Sequence, residues 1–159
     1  MSFIKKERNQ TMKFTTNSQR ILAELVQQEY NEVSGDIDEA RFFEIFASQQ
    51  VVKVFDLSDE EIESCVLGSG NDGGCDAVFV LNNGVVVKED MLDDPGVGRN
   101  SIIDLVIIQA KREASFSEDV IMKWKTVSNN LMEIGVDDSI YTSRYNEEVL
   151  NSFHIFREL

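Results

Sequence analysis

Cysteine is nearly missing from this chain: Cys65 and Cys75 are the only two among 159 residues. Their spacing and company give neither a disulfide framework nor a set of zinc ligands. Cys75, at the start of a strand-like segment, reads as a small core residue, and a reducing compartment suits both thiols. Histidine occurs once, at His154. With no nucleophile or ligand series beside it, it reads as structural or solvent-facing. Long apolar runs are also missing. The longest, residues 78–81 and 102–108, are strand-length and far short of the roughly 20 residues that cross a bilayer. The opening Met-Ser-Phe-Ile-Lys-Lys-Glu-Arg-Asn-Gln has no apolar signal-peptide core. The expectation is a cytoplasmic protein without a membrane partner.

Positive charge is scarce as well. Lys and Arg number 15 against 29 Asp and Glu, leaving a net charge of -14. Such a surface repels nucleic acid at long range unless cations are locally concentrated. The imbalance is uneven: residues 1–14 carry +3, residues 15–100 carry -13 and residues 101–159 carry -4. The length fits one domain. Hydrophobic residues, at 42%, are too many for a disordered acidic tail. The expected organisation is a flexible basic arm over 1–14 and one α/β domain over 15–159. The abrupt Phe-Arg-Glu-Leu ending suggests the N-terminal part of a longer protein, with an additional C-terminal domain.

Periodicity predicts the elements. Ile21, Leu22, Leu25 and Val26 recur at helical spacing after Thr16 and Asn17, giving a helix to about Tyr30, and Ser34-Gly35-Asp36 has turn chemistry. A second helix covers about 38–50 with Phe42, Phe43, Phe46 and Ala47 on its packed side. Residues 51–55 are ambiguous. Ser58 and Glu61 stand in capping-box register. A glycine-rich stretch, residues 68–74, passes abruptly into an apolar strand, and Asn82-Asn83-Gly84 turns it back into a strand over 85–88. Residues 102–109 are the strongest candidate for a central strand, being apolar on both faces. Ser115 and Glu118 match a cap and its acid before a helix over 116–132, whose face carries Val120, Trp124, Val127 and Leu131. Residues 137–145 are uncertain, and 147–159 form a helix or a strand.

Two constellations carry chemistry: Gly73-Gly74-Cys75-Asp76 before one strand, and Ile107-Ile108-Gln109-Ala110-Lys111 closing another. On these residues, and over about 40–130, the chain resembles the restriction-endonuclease-like or PD-(D/E)xK superfamily. The likeness is to its Mrr-like Gln-x-Lys variants and to the N-terminal region of abortive-infection phage-resistance proteins. The resemblance implies a restriction-endonuclease-like central mixed sheet flanked by helices. It also implies Asp76 as the metal-binding acid, Gln109 and Lys111 as the second pair, and an upstream helical glutamate. Glu44 is the first candidate for that glutamate, ahead of Glu39 and Glu32. Cys75 stands where the family has a larger hydrophobic residue, a mild departure.

The residue chemistry agrees with this reading. Side chains at i and i+2 of a strand share a face, so Gln109 and Lys111 can address one site. Asp76 can bind Mg²⁺, or Mn²⁺ in its place, through carboxylate oxygen, with Gln109 adding its amide oxygen. Lys111 can orient the attacking water and stabilise developing charge. With an ordinary pKa of about 10.4 it is not a free neutral base. Plainer roles also fit: an Asx-turn for Asp76, backbone hydrogen bonding for Gln109, a solvated strand end for Lys111, and a turn residue in Asp72. Asp104 is out of phase with Gln109. Lys123 and Lys125 could approach phosphate from the helix after the core motif, but as isolated charges flanking Trp124 they read first as its solvating neighbours.

The leading expectation is therefore Mg²⁺-dependent hydrolysis of DNA, with RNA as another substrate and defence against foreign DNA as the setting. A homodimer would bring two centres to opposite strands. The alternative is a catalytically weak nucleic-acid-binding or regulatory protein-interaction domain on the same scaffold.

Overall fold

The computed structural model describes residues 16–33, 35, 37–68, 70–112 and 117–159. The expected basic arm, the turn residues Ser34 and Asp36, the Ser115 cap and Phe116 lie outside the described residues.

The chain folds as α/β, with helices α1 (Asn17–Glu32), α2 (Glu39–Val52), α3 (Asp59–Cys65), α4 (Glu118–Leu131) and α5 (Glu147–Glu158) around three strands. The strands are β1 (Ala77–Asn82), β2 (Val85–Val86) and β3 (Ile103–Ile108), ordered β2-β1-β3. Two expectations need correction. Both strand pairings are antiparallel, so the sheet is not mixed among the described residues. The centre belongs to β1, every residue of which is buried, while β3 lies at one side and is half-buried along most of its length. The error has a physical cause. A strand that is apolar on both sides reports that helices cover both faces of the sheet, which says nothing of whether both of its edges are paired.

Alternation along β1 builds the two halves of the core. Ala77, Phe79 and Leu81 pack against Ile45, Val52, Ile62 and Cys65 of α2 and α3. Val78 meets Val127, Leu131, Val149 and Phe153 of α4 and α5, and Val80 meets Ile155. Helix α1 lies outside α2, joined through Val26, Phe42 and Phe46, with the Tyr30 and Phe42 rings 5.3 Å apart. The Asn83-Gly84 hairpin turn has positive φ at both positions, 51° and 83°, as a two-residue loop matching strand twist requires. Residues 51–55 finish α2 and add a short 3-10 turn, Lys53–Phe55. Another 3-10 turn, Asp138–Tyr141, lies in the stretch left uncertain. It is tied to α5 by Arg157, which donates to Asp138 Oδ2 and to the Leu131 carbonyl, both at 2.5 Å. His154 stands 3.9 Å from the same Asp138, in a structural position.

Side-chain caps set the helix starts. Thr16, Asp38, Ser58 and Asn146 each accept a first-turn amide hydrogen bond. Helix α4 begins after Ser117, whose side chain makes no cap bond. Ser58 forms a full capping box: its hydroxyl accepts from Glu61 N at 3.3 Å, and its own N–H donates to Glu61 Oε2 at 2.8 Å. Helix α3 has only seven residues and presents Ile62 and Cys65 to the core, so losing this start loosens core contacts. Ser58→Ala is expected to cost about 1 kcal/mol, read as a lower urea midpoint at unchanged slope. An unchanged midpoint would show that packing alone holds α3.

Candidate functional site

Antiparallel pairing of β1 with β3 brings the start of one strand to the end of the other. The Ala77↔Ile108 pair is the last in register, and the Asp76 N–H bond to the Ile108 carbonyl then breaks the phase, leaving Asp76 beside the 108–110 segment at the same end of the ladder. The glycine-rich turn delivers Asp76 there. Gly73 and Gly74 hold φ of 66° and 84°, left-handed values that side chains disfavour. Asp72 closes the turn, its Oδ1 accepting from Gly74 N at 2.6 Å and its carbonyl from Cys75 N at 3.1 Å. Cys75 fills the core beyond, and burial pushes its thiol up to about 12.

Three hydrogen bonds pin Asp76. Its N–H donates to the Ile108 carbonyl at 2.8 Å, and its carbonyl accepts from Leu67 N at 2.8 Å. Its carboxylate Oδ2 accepts from Ala110 N, the middle residue of Gln109-Ala110-Lys111, at 2.6 Å. The Asp76 carboxylate is thus bonded to the backbone of the Gln109-Ala110-Lys111 segment.

Burial holds the Asp76 carboxyl above its usual range, and the nearby Asp72 charge adds to the shift. The Ala110 N–H, Lys111 and Lys123 oppose it. Glu44, on α2, shares this field. Its carboxyl is raised first by burial, then by the Asp76 charge, with Asp38 and Asp72 contributing and Arg41 opposing. The other upstream acids are engaged elsewhere. Glu39 pairs with Arg112 at 2.5 Å, and Glu32 accepts from Gln28 Nε2 at 3.3 Å at the end of α1. Arg112 also lies over the Phe43 ring, 5.7 Å from its centre, which anchors the chain just past Lys111. Asp104 pairs with Leu81 towards the far end of the ladder.

Lys123 is exposed on α4, three residues after the buried Val120 and four before the buried Val127. Its side chain runs past Gly74: a Cβ added there would meet Lys123 Cδ and Gln109 Nε2, each at 3.3 Å. Trp124 Nε1 donates to the Gly74 carbonyl at 2.9 Å, fixing α4 against the turn.

Among the described residues, no group of three or more His, Cys, Asp or Glu side chains is placed to hold a metal ion. The donors at hand are of mixed type. Gln109 Oε1 is buried and has no hydrogen-bond partner, a state that costs a buried oxygen about 1–3 kcal/mol. One oxygen of Asp76 is committed to Ala110, leaving the other open. A hard cation that keeps several waters and takes one carboxylate and one amide oxygen fits this pair, so Asp76 and Gln109 are the residues that could hold it. No helix among the described residues is long and apolar enough to cross a membrane. No family model, curated protein or solved structure matches the chain.

Proposed function

We propose that this chain hydrolyses nucleic-acid phosphodiester bonds in a metal-dependent reaction, with DNA as the leading substrate, on a restriction-endonuclease-like scaffold. One observation carries the reading: at the shared end of β1 and β3 the half-buried Asp76 carboxylate is bonded to the Ala110 N–H, next in the chain to a Gln109 whose amide oxygen is buried and unpartnered. That is an oxygen-donor pair lacking a hard partner.

Each residue has a part in the reaction. The Ala110 N–H orients the Asp76 carboxylate, so its other oxygen has a defined direction. Gln109 adds an oxygen without adding negative charge, which eases the approach of a phosphate. Glu44 supplies a second carboxyl from α2, available to receive a proton because burial already favours its neutral form. Lys111 orients the attacking water and neutralises charge developing on the phosphorus oxygens. When bound, a divalent cation such as Mg²⁺ supplies Lewis acidity and a more acidic water. Defence against foreign DNA is the setting that the motif resemblance suggests.

A second reading is a catalytically weak nucleic-acid-binding or regulatory domain on the same scaffold. It is favoured by the lack of a three-acid group among the described residues and by the net charge of -14. Incubating the purified chain with duplex DNA, single-stranded DNA and RNA separates the two readings. Cleavage is expected in Mg²⁺ or Mn²⁺, stopping with chelator and in Lys111→Ala. A folded wild type that binds these nucleic acids but cuts none would overturn the hydrolase and leave the second reading. Cleavage that survives chelator would also defeat the proposed chemistry.

A further inference from the structure

We propose that Lys123, on α4, is a second phosphate-contacting cation of this site, gripping a non-bridging oxygen of the phosphate that Asp76 and Gln109 face. This inference rests on the hydrolase reading and extends it to a residue outside both motifs.

Three observations support it. First, the Lys123 stem lies against Gly74, the residue that also flanks the Gln109 amide, so its aliphatic part is held at the rim. A Cβ there would press on both groups at 3.3 Å, and Gly74 has the left-handed φ of 84° that suits glycine. Second, α4 is anchored at this point by the Trp124 bond to the Gly74 carbonyl and by buried Val120 and Val127 on either side. The lysine is therefore borne by a rigid element, and little ordering entropy remains to be lost on binding. Third, among the described residues Lys123 makes no hydrogen bond and no ion pair, although the acidic cluster of Asp72, Asp76 and Glu44 lies close by. Its charge reaches Asp76 without being consumed by it. In a chain of net charge -14, Lys111 and Lys123, from different elements, both act on the Asp76 carboxylate, and among the described residues neither makes an ion pair. Lys123 and Lys125 are both exposed, and of the two it is Lys123 whose stem lies against Gly74.

The test compares wild type with Lys123→Met, Lys123→Arg, Lys125→Met and Lys111→Met. Binding of a fluorescent DNA duplex is followed by anisotropy in Ca²⁺ at several salt concentrations, and cleavage is timed in Mg²⁺. Trp124, the only tryptophan, reports by its emission whether α4 stays seated on the turn. Methionine keeps the helix-forming stem, so an unchanged Trp124 spectrum is expected throughout. Lys123→Met should weaken binding about tenfold, the scale of one charge-assisted hydrogen bond. It should also lower the slope of log affinity against log salt by about one. Lys123→Arg should restore most of both, and Lys125→Met should change neither. If Lys123→Met binds and cleaves like wild type while Lys111→Met is impaired, Lys123 has no such role and the hydrolase reading stands. A wild type that neither binds nor cuts DNA or RNA overturns both.

Discussion

Asp76→Asn is expected to lower Mg²⁺-dependent cleavage on the order of a thousandfold or more and, in the same protein, to raise the melting temperature at neutral pH. The opposite signs follow from one environment. The Asp76 carboxyl is held above its usual range chiefly by burial, so its charged form is less comfortable folded than unfolded. A group with a raised folded-state pKa contributes stability below its unfolded pKa, about 3.9 for aspartate. It loses that contribution as pH rises through the folded value. At neutral pH the wild type therefore carries an unfavourable buried charge that the asparagine removes. Asparagine has the same shape, and its Oδ1 can still accept from Ala110 N, so the turn is preserved. The stability gain should vanish below about pH 4, where the wild-type carboxyl is itself protonated. Adding Mg²⁺ should raise the wild-type melting temperature and leave the variant unmoved, because a ligand that binds only the folded state stabilises it by mass action. Melting curves across pH, with and without Mg²⁺, supply the check. A lower melting temperature for Asp76→Asn at neutral pH would mean that the carboxylate is a structural cap.

Glu44→Gln extends the same logic to α2, where burial and the Asp76 charge act together. Burial and a neighbouring acid raise both carboxyls, a pattern found at functional sites and in structural charge networks alike. Here the coupling joins residues 32 positions apart in sequence, and neither shows its partner locally. What local pattern did reveal was the pair of strand ends. Asp76 after a glycine turn and Gln109 after an apolar run needed only antiparallel pairing to come to the same end of the sheet. The Ser58 box and the Asn83-Gly84 turn were equally visible, since each depends on residues within four positions. Long-range placement was harder to read. Helix α2 was assigned one packed side, Phe42, Phe43, Phe46 and Ala47, yet Ile45 is buried too. The helix is covered by α1 on one side and by the sheet on the other, and a helix buried twice loses the clean stripe that periodicity detects. The final segment, helix or strand by composition, is the helix α5. Val149, Leu150 and Phe153 meet one cluster in the i, i+1, i+4 spacing of a helix face.

Gly73→Ala is expected to be the most disruptive small substitution outside the hydrophobic core, destabilising the fold by about 3 kcal/mol or more. Two effects add. The residue holds φ of 66°, a left-handed conformation costing a side chain roughly 1–2 kcal/mol. The new methyl would also stand 2.3 Å from Val127 Cγ2 and 2.9 Å from Tyr145 Cε1, overpacking of a kind that costs typically 1–3 kcal/mol. Neither neighbour yields easily. Val127 is 1% exposed and β-branched, and the Tyr145 hydroxyl accepts from Asn130 Nδ2 at 2.8 Å. The turn cannot retreat either, because Asn146 donates from its main chain to the Asn71 carbonyl and from Nδ2 to the carbonyls of Gly68 and Gly70. Gly70→Ala separates the two effects: φ there is 68°, but nothing lies within 4 Å of an added Cβ. It should show the backbone strain alone, roughly 1–2 kcal/mol. Urea midpoints of the two variants measure the difference, and equal losses would mean that the turn slides away from α4 at little cost. If the clash is as described, the turn must shift and carry Asp76 with it. Gly73→Ala protein that remains folded should then cleave more slowly than its folded fraction accounts for, while Gly70→Ala protein should follow its folded fraction.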